Sequence, residues 1–308
     1  MVPPFLFRRD SPKTTRLIMP YKFIFCFVFL PLILSAQPAE YLRVKEHLSF
    51  TDEVKILSVF VETPDGNWED EEIAYTLNEY AAAKEWLISE ANYYGQSIIF
   101  DDDAFSRDNG SVVFMDRTPQ AGNSPKKTIN TVLQKLNYRD FEGFLHYNQV
   151  SMQEDKIKVL LFVKSNNRSH AYSNFAIKDV DLAVVYCRHR IGSLTDRYVI
   201  AHEALHLFGA WDLYLGRSQT DLSAREAKER WPHSVMVGTQ FNKDKIVVDE
   251  LTAWRIGWGE FDREYTAFSP AVNREILKKE IRIDPRKTVI KIRPRKKGPK
   301  KDKDTGGE

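Results

Sequence analysis

Residues 157–163 read IKVLLFV, an almost unbroken apolar run. Runs of this length without alternation are typical of strands that are buried on both faces, as in the centre of a parallel sheet. Residues 181–187 (DLAVVYC) and 54–61 (VKILSVFV) have the same character, and the turn sequence TPDG closes the latter. The three runs predict the central strands of one sheet.

The segments around these strands predict helices and further strands. Glu69–Tyr94 is rich in Ala, Glu and Leu and predicts a long amphipathic helix, and residues 125–136 predict another. Shorter strands are expected at 96–100 and 112–115, and the less hydrophobic HAYSNFAI at 170–177 is expected to be an edge strand. This order of elements predicts an α/β (α+β) fold with a mostly parallel sheet.

The C-terminal half predicts helices followed by a basic tail. A helix is expected from Thr195 onward, capped by Thr195 or Ser193. Shorter helices are expected at 222–230 and 248–256. The chain ends in the Lys- and Pro-rich sequence RPRKKGPKKDKDTGGE, a composition that predicts disorder. We therefore expect one folded domain over residues 37–265 and a disordered tail over residues 266–308.

The N-terminal residues have the layout of an export signal. Lys22 precedes the apolar run FIFCFVFLPLILSA, which ends in small residues and predicts cleavage after Ala36. The run is short for a membrane span, and an uncleaved anchor is the alternative. Met19 lies just upstream and is an alternative translation start. We expect residues 1–36 to be a signal peptide, and the protein to be secreted or periplasmic without a membrane span after cleavage.

The charge distribution argues against a nucleic-acid-binding core. The formal charge is +2, but residues 274–308 hold 14 Lys and Arg against 6 Asp and Glu, and residues 1–36 hold 5 against 1. The body of the chain therefore carries a surplus of ten negative charges. Cysteine occurs only at Cys26 and Cys187, so signal cleavage leaves no internal disulfide. We expect Cys187 to be a buried apolar side chain.

Residues 200–212, IAHEALHLFGAWD, carry the chemistry. On a helix, residues four apart lie on one face, so His202 and His206 can direct their imidazoles at one point. Glu203 lies about 100° around the helix, where its carboxylate can take a proton from a metal-bound water. Neutral imidazole is a good zinc ligand, so this HExxH spacing predicts a zinc site. The alternative is a helix whose histidines are merely packed or exposed.

The continuation of the motif offers a third ligand. Gly209 follows His206 by three residues and can adopt the left-handed conformation that ends a helix. A sharp reversal there would bring Asp212 back under the two histidines. Two histidines and one carboxylate leave a fourth position for water, which is the arrangement of a catalytic zinc site.

The pattern His202-Glu203-x-x-His206-x-x-Gly209-x-x-Asp212 resembles the metzincin zinc-protease signature, HExxHxxGxxH/D. Its aspartate form is similar to the snapalysin branch of bacterial secreted proteases. The resemblance implies a mixed sheet whose antiparallel edge strand lines the substrate cleft, and helices after the zinc helix. It also implies one zinc ion held by the two histidines and the aspartate, with Glu203 as the general base of peptide-bond hydrolysis.

The resemblance extends to a methionine turn downstream of the motif. Met236 in WPHSVMVG stands 24 residues after Asp212 and would form the apolar floor of the site. Two features depart from the family pattern. No tyrosine stands two residues after Met236, so the tyrosine ligand of some branches is missing, and no cysteine-switch propeptide is present.

Other interpretations of the motif remain open. In a gluzincin-type protease the third ligand would be Glu226 or Glu229, which lie 20 and 23 residues after His206, although SAREAKER is typical of a solvated helix face. A zinc-containing binding or adhesion module without catalysis would have little reason to keep Glu203. The basic tail could bind acidic polymers or a membrane surface. We expect a monomer that acts on a protein or peptide substrate.

Overall fold

The computed structural model describes residues 49–151, 156–172, 181–187, 193–216, 218–238 and 243–283. These residues form a mixed six-stranded sheet with helices packed around it. The strands are β1 (Asp52–Glu62), β2 (Ile98–Phe100), β3 (Val112–Phe114), β4 (Lys156–Val163), β5 (His170–Tyr172) and β6 (Asp181–Tyr186). The α-helices are α1 (Asp70–Tyr93), α2 (Pro125–Lys135), α3 (Phe141–Tyr147), α4 (Arg197–His206), α5 (Asp221–Arg230), α6 (Glu250–Arg255) and α7 (Pro270–Ile283).

The sheet is parallel except at one edge. β1, β4 and β6 run parallel at its centre. β2 pairs with the beginning of β1 and β3 pairs with its end, both in the parallel sense. β5 lies at the opposite edge and runs antiparallel to β6. The predicted α/β class with a mainly parallel sheet and an antiparallel edge strand is thus confirmed, while a metzincin fold in particular stays a prediction.

Helices cover both faces of the sheet because its central strands are apolar on both sides. On one face, Leu161 of β4 belongs to a buried core that also contains Ile129 of α2 and Phe144 of α3. On the other face, the ring of Tyr80 in α1 meets the ring of Phe162 edge-on. Helix α4 packs between α1 and the β5–β6 edge. The helix with the HExxH residues is therefore held beside the antiparallel edge of the sheet.

Most predicted elements occur within about two residues of their expected bounds. The edge strand is described for His170–Tyr172, and the rest of the predicted segment lies outside the described residues. Cys187 is fully buried, as predicted. The sequence patterns did not predict α3, a short helix with a glycine in its first turn. It begins after Asp140, whose side chain accepts a hydrogen bond of 2.8 Å from the backbone N–H of Gly143.

The prediction of disorder from residue 266 is wrong for the described part of the tail. Residues 263–268 form a short 3-10 helix, and α7 follows. Asn273 of α7 is buried, and its side-chain amide donates a hydrogen bond of 2.9 Å to Oε1 of Gln219. This contact anchors the helix, and the basic composition becomes dense only further on. The folded body thus extends beyond the predicted boundary at 265.

Residues 284–308 and the predicted signal peptide at 1–36 lie outside the described residues. Within the described ranges, no helix is both long enough and apolar enough to cross a membrane.

A buried ion pair joins two central strands. Lys158 of β4 and Asp181 of β6 are paired in register, and the ammonium group donates to the carboxylate. The side chains are only 3% and 7% exposed. A charge in this position is tolerated only while its partner is present.

We predict that Lys158→Met lowers the free energy of unfolding by about 3–5 kcal/mol, because it leaves the Asp181 carboxylate buried without its ammonium partner. The double variant Lys158→Met/Asp181→Leu should recover most of this loss. The matched control is Asp102→Ala, which breaks the exposed pair with Lys84 and should cost less than about 1 kcal/mol. Urea unfolding measures the free energy of unfolding of all three variants. Equal losses for Lys158→Met and Asp102→Ala would contradict the larger cost assigned to breaking the buried pair.

Candidate metal centre

Helix α4 begins at a different cap from the one predicted. The side chain of Asp196 accepts hydrogen bonds from the backbone N–H groups of Tyr198, at 3.0 Å, and Val199, at 3.3 Å. Thr195 is instead fully buried, and its backbone N–H donates to the carbonyl of Cys187 at 3.1 Å. The predicted cap at Thr195 or Ser193 is therefore wrong, because Thr195 is tied to the end of β6.

The structure brings His202, His206 and Asp212 together. The Nε2 atoms of the two histidines are 3.2 Å apart. Oδ1 of Asp212 lies 3.1 Å from Nε2 of His206 and 3.3 Å from Nε2 of His202. A tetrahedral zinc site with bonds of about 2.0–2.1 Å separates neighbouring ligand atoms by about 3.3–3.4 Å. These three atoms, called the triangle below, have the spacing and the chemical nature that such an ion requires. They would occupy three of its four tetrahedral positions.

Both imidazoles are oriented by backbone carbonyls. Nδ1 of His202 donates to the carbonyl of Val235 at 3.0 Å, and Nδ1 of His206 donates to the carbonyl of Ala210 at 2.9 Å. A proton on Nδ1 leaves the lone pair on Nε2, which is the atom that faces the triangle. Metal-binding histidines characteristically have such an outer hydrogen bond.

Gly209 makes the turn that returns Asp212 to the histidines. Its backbone φ of 93° is a conformation that residues other than glycine rarely adopt. The turn is closed by two backbone hydrogen bonds, from Gly209 to His206 at 3.0 Å and from Ala210 to Leu205 at 3.2 Å. The predicted reversal at Gly209 is present.

Two polar side chains donate hydrogen bonds to backbone carbonyl groups of this turn. Nε of Arg255 donates to the carbonyl of Gly209 at 3.1 Å, and the guanidinium lies 4.5 Å from the ring centroid of Trp211. Nε2 of Gln219 donates to the backbone carbonyl of Asp212 at 2.8 Å. The position of Asp212 thus depends on Gln219, just before α5, and on Arg255 of α6, neither of which the motif alone indicated.

Glu203 lies next to the triangle and is 4% exposed. Its Oε2 atom has no hydrogen-bond partner in the part of the chain that the structure describes. Burial raises the pKa of this carboxyl group, and the neighbouring histidines partly offset the effect. An unpartnered buried carboxylate beside three metal-ligand atoms is the arrangement expected of a general base.

The positive charge of His206 and the negative charge of Asp212 stabilise each other. Burial alone would lower the pKa of His206, but the hydrogen bond to Asp212 and the nearby carboxylates raise it to about 9. Although burial opposes it, hydrogen bonding from the two histidines holds the pKa of Asp212 well below its usual range. A cation that binds here must therefore displace a proton from the imidazole.

The methionine segment contacts the site through its backbone. Val235–Val237 forms a short 3-10 helix, and Met236 is fully buried. The Val235 carbonyl holds His202, and the carbonyl of Met236 accepts a hydrogen bond of 2.9 Å from the N–H of Leu213, directly after Asp212. These contacts place the segment beside the site, while the role of Met236 as an apolar floor stays a prediction.

The alternative third ligands lie elsewhere. Glu226 and Glu229 are exposed on α5. Among the described residues, the group whose ligand atoms lie within 4.8 Å of one another consists of His202, His206 and Asp212.

Two cavities adjoin the triangle. One of about 510 Å³ lies between α4 and the methionine segment, with His202, Val199 and Val235 in its lining. The other, of about 440 Å³, is bordered by His206 and by His170 of the edge strand β5. His202 lines the first cavity and His206 the second, and four residues line both, so the two cavities adjoin along the histidines and are together called the cleft.

Arg168 and Tyr214 line both cavities, and the sequence analysis had not singled them out. Tyr214 stands two residues after Asp212 and Arg168 two residues before β5, so their positions relative to the motif and the edge strand are the signals that could have found them.

The chain matches no model of a known protein family, and no curated protein matches it. The chemistry of the site is therefore inferred from its own residues and geometry.

We predict that Gly209→Ala weakens binding of Zn²⁺ by about 10–100-fold, because strain in the turn displaces Asp212. The same strain should destabilise the fold by about 1–2 kcal/mol. Gly95→Ala is the matched control, since Gly95 has a φ of 70° at the end of α1 and nothing lies within 4 Å of the added methyl group.

The control should lose a similar amount of stability and keep its zinc affinity. Competition with a chromogenic chelator measures affinity, and thermal unfolding measures stability. Unchanged zinc affinity in the Gly209 variant would show that the turn does not position a ligand.

Proposed function

We propose that the protein is an exported zinc-dependent endopeptidase of the metzincin type, with zinc held by His202, His206 and Asp212. The observation that carries the proposal is the triangle of ligand atoms at 3.1–3.3 Å, with the buried Glu203 carboxylate beside it. Structural zinc sites are closed by four protein ligands, whereas three leave room for water and substrate. Export rests on the N-terminal apolar run alone.

Zinc, when bound, supplies a Lewis acid that polarises the scissile carbonyl and activates water. Glu203 accepts a proton from the attacking water. As the C–N bond breaks, Glu203 passes this proton to the leaving amine. The new carboxyl group then gives the second proton of the water to the amine, so that an ammonium group and a carboxylate are formed. Burial raises the pKa of Glu203, which brings the group closer to the pH at which it must both accept and release a proton.

The shape of the cleft favours an extended peptide substrate. β5 is the edge strand of the sheet and borders the cavity beside His206. An extended peptide can add to such an edge through backbone hydrogen bonds. Because cavities lie on both sides of the histidines, the cleft has room for side chains on both sides of the cleaved bond. This arrangement supports an endopeptidase.

We predict that Glu203→Gln lowers kcat for peptide cleavage by about 10²–10⁴-fold, because the amide cannot accept the proton of water. Zinc content should stay at one ion per chain, since Glu203 is not a ligand. A pool of internally quenched peptides measures cleavage, and atomic absorption measures zinc. The control is Glu226→Gln on the exposed face of α5, which should cleave like the wild type. Activity that survives Glu203→Gln would assign the base to another residue.

We further predict that Asp212→Ala weakens zinc binding by more than about 100-fold, beyond what loss of an outer partner causes. Asp212→Asn, which keeps the side-chain shape, guards against a general folding defect. Glu226→Ala and Glu229→Ala should keep full zinc affinity. If zinc binding is lost only in the Glu226 or Glu229 variant, the third ligand is that glutamate, as in a gluzincin, and Asp212 is not a ligand.

A further inference from the structure

Arg168 occupies the junction of the two cavities. It lies two residues before the edge strand β5 and lines both the 510 Å³ and the 440 Å³ cavity. The other residues that border both cavities are Ser169, Glu203 and Tyr214. A peptide that runs through both cavities must cross this junction. The residues at the junction therefore lie where such a peptide passes from one cavity to the other.

Tyr214 contacts the guanidinium of Arg168 through its ring and through its hydroxyl group, which also interacts with Asp212. The guanidinium lies 4.7 Å from the ring centroid of Tyr214. The Tyr214 ring in turn lies 6.0 Å from the His202 ring, with 27° between the planes. Such stacking fixes the plane of a guanidinium while its N–H groups stay available for hydrogen bonds. The stack thus connects the arginine to a ligand of the metal centre.

The positive charge of Arg168 is available to a ligand. The side chain is exposed, and within the described ranges no carboxylate lies within 4.0 Å of its guanidinium. Its charge nevertheless acts on the site. Although burial opposes it, the pKa of Arg168 is raised by Tyr214, Asp212 and Glu203. By contrast, Lys243, which also borders the larger cavity, is paired with Asp196 at 2.6 Å.

Peptide hydrolysis creates a negative charge at this junction. Attack of water on the carbonyl carbon moves the π electrons onto the carbonyl oxygen, while the water proton goes to Glu203. The C–N bond then breaks as the oxyanion re-forms the C=O bond, and the leaving amine receives the proton from Glu203. The new carboxyl group gives the second proton of the water to the amine, which leaves a carboxylate and an ammonium group. Fixed donors aimed at this oxygen act mainly on the transition state. A planar guanidinium beside Glu203 meets this requirement.

We propose that Arg168 is a further catalytic residue, which donates hydrogen bonds to the oxyanion of the scissile peptide, and that Tyr214 is its positioning residue. This inference rests on the proposed peptidase function. It predicts an effect on kcat, because the oxygen carries its full charge only in the transition state. A subsite for an acidic side chain would instead act on KM.

The test compares Arg168→Ala and Arg168→Lys with Arg107→Ala. Arg107 is a matched control because its exposed guanidinium stacks on Tyr147 at 4.9 Å and lines neither cavity. The substrate is an internally quenched peptide selected from a pool by wild-type cleavage. A phosphinic analogue of that peptide, with a tetrahedral anion at the cleaved bond, is the binding probe for calorimetry.

We expect Arg168→Ala to lower kcat by about 10²–10³-fold. KM should stay within about twofold, and zinc content should not change. Affinity for the phosphinic peptide should fall in parallel with kcat, Arg168→Lys should recover part of both, and Arg107→Ala should match the wild type. Tyr214→Leu should lower kcat with KM kept. Tyr214→Phe keeps the ring but loses the hydroxyl interactions with Arg168 and Asp212, so it should recover part of that loss.

Each other outcome removes a defined part of the assignment. An Arg168→Ala variant that raises only KM, or that keeps wild-type affinity for the phosphinic peptide, overturns the role of Arg168. A Tyr214→Phe variant as impaired as Tyr214→Leu overturns the positioning role of the ring. A wild-type protein that binds zinc and cleaves no peptide of the pool removes the proposed function itself, and the inference with it.

Discussion

The candidate site depends on two hydrogen bonds from imidazole Nδ1 atoms to backbone carbonyls. Val235 accepts from His202 and Ala210 accepts from His206, which turns both Nε2 lone pairs toward Asp212. Neither carbonyl belongs to α4. The helix alone therefore supplies the spacing of the histidines, while the glycine turn and the methionine segment supply their orientation. The three segments must pack together before a metal centre exists.

Local patterns were sufficient to predict the central strands and the spacing of the candidate metal ligands. β1, β4 and β6 are mostly apolar on both faces, and their short length and β-branched residues favour buried central strands over helices. The spacing of His202 and His206 follows from the helical repeat, and a glycine three residues later permits a sharp turn. In each case the physical cause lies within a few residues, so a short stretch of sequence is enough to predict the strand, the spacing or the turn.

Features that depend on distant contacts could not be predicted in this way. Thr195 has a good capping side chain, but its backbone bonds to Cys187 and the cap falls on Asp196. Helix α7 begins in a segment whose composition indicated disorder, and it is held by a side-chain contact across 54 residues to Gln219. Arg168 reaches the site only because β5 lies at the edge of the sheet beside α4. Such placements depend on the tertiary fold, and for Arg168 the one local signal is its position just before the edge strand.

Two carboxylates at the triangle, those of Glu203 and Asp212, have an electrostatic cost for the fold. Oε2 of Glu203 is buried without a hydrogen bond within the described part, and the Asp212 carboxylate lies against two imidazoles. Burying carboxylates in this way destabilises a protein unless a positive charge compensates them. A proton on His206 provides part of that charge, because, although burial opposes the shift, the neighbouring carboxylates raise the pKa of His206 to about 9. A divalent cation would provide more, and because it binds the folded state in preference to the unfolded one, it would also stabilise the fold. The two carboxylates of the proposed mechanism are thus the groups whose electrostatic cost a bound metal would reduce.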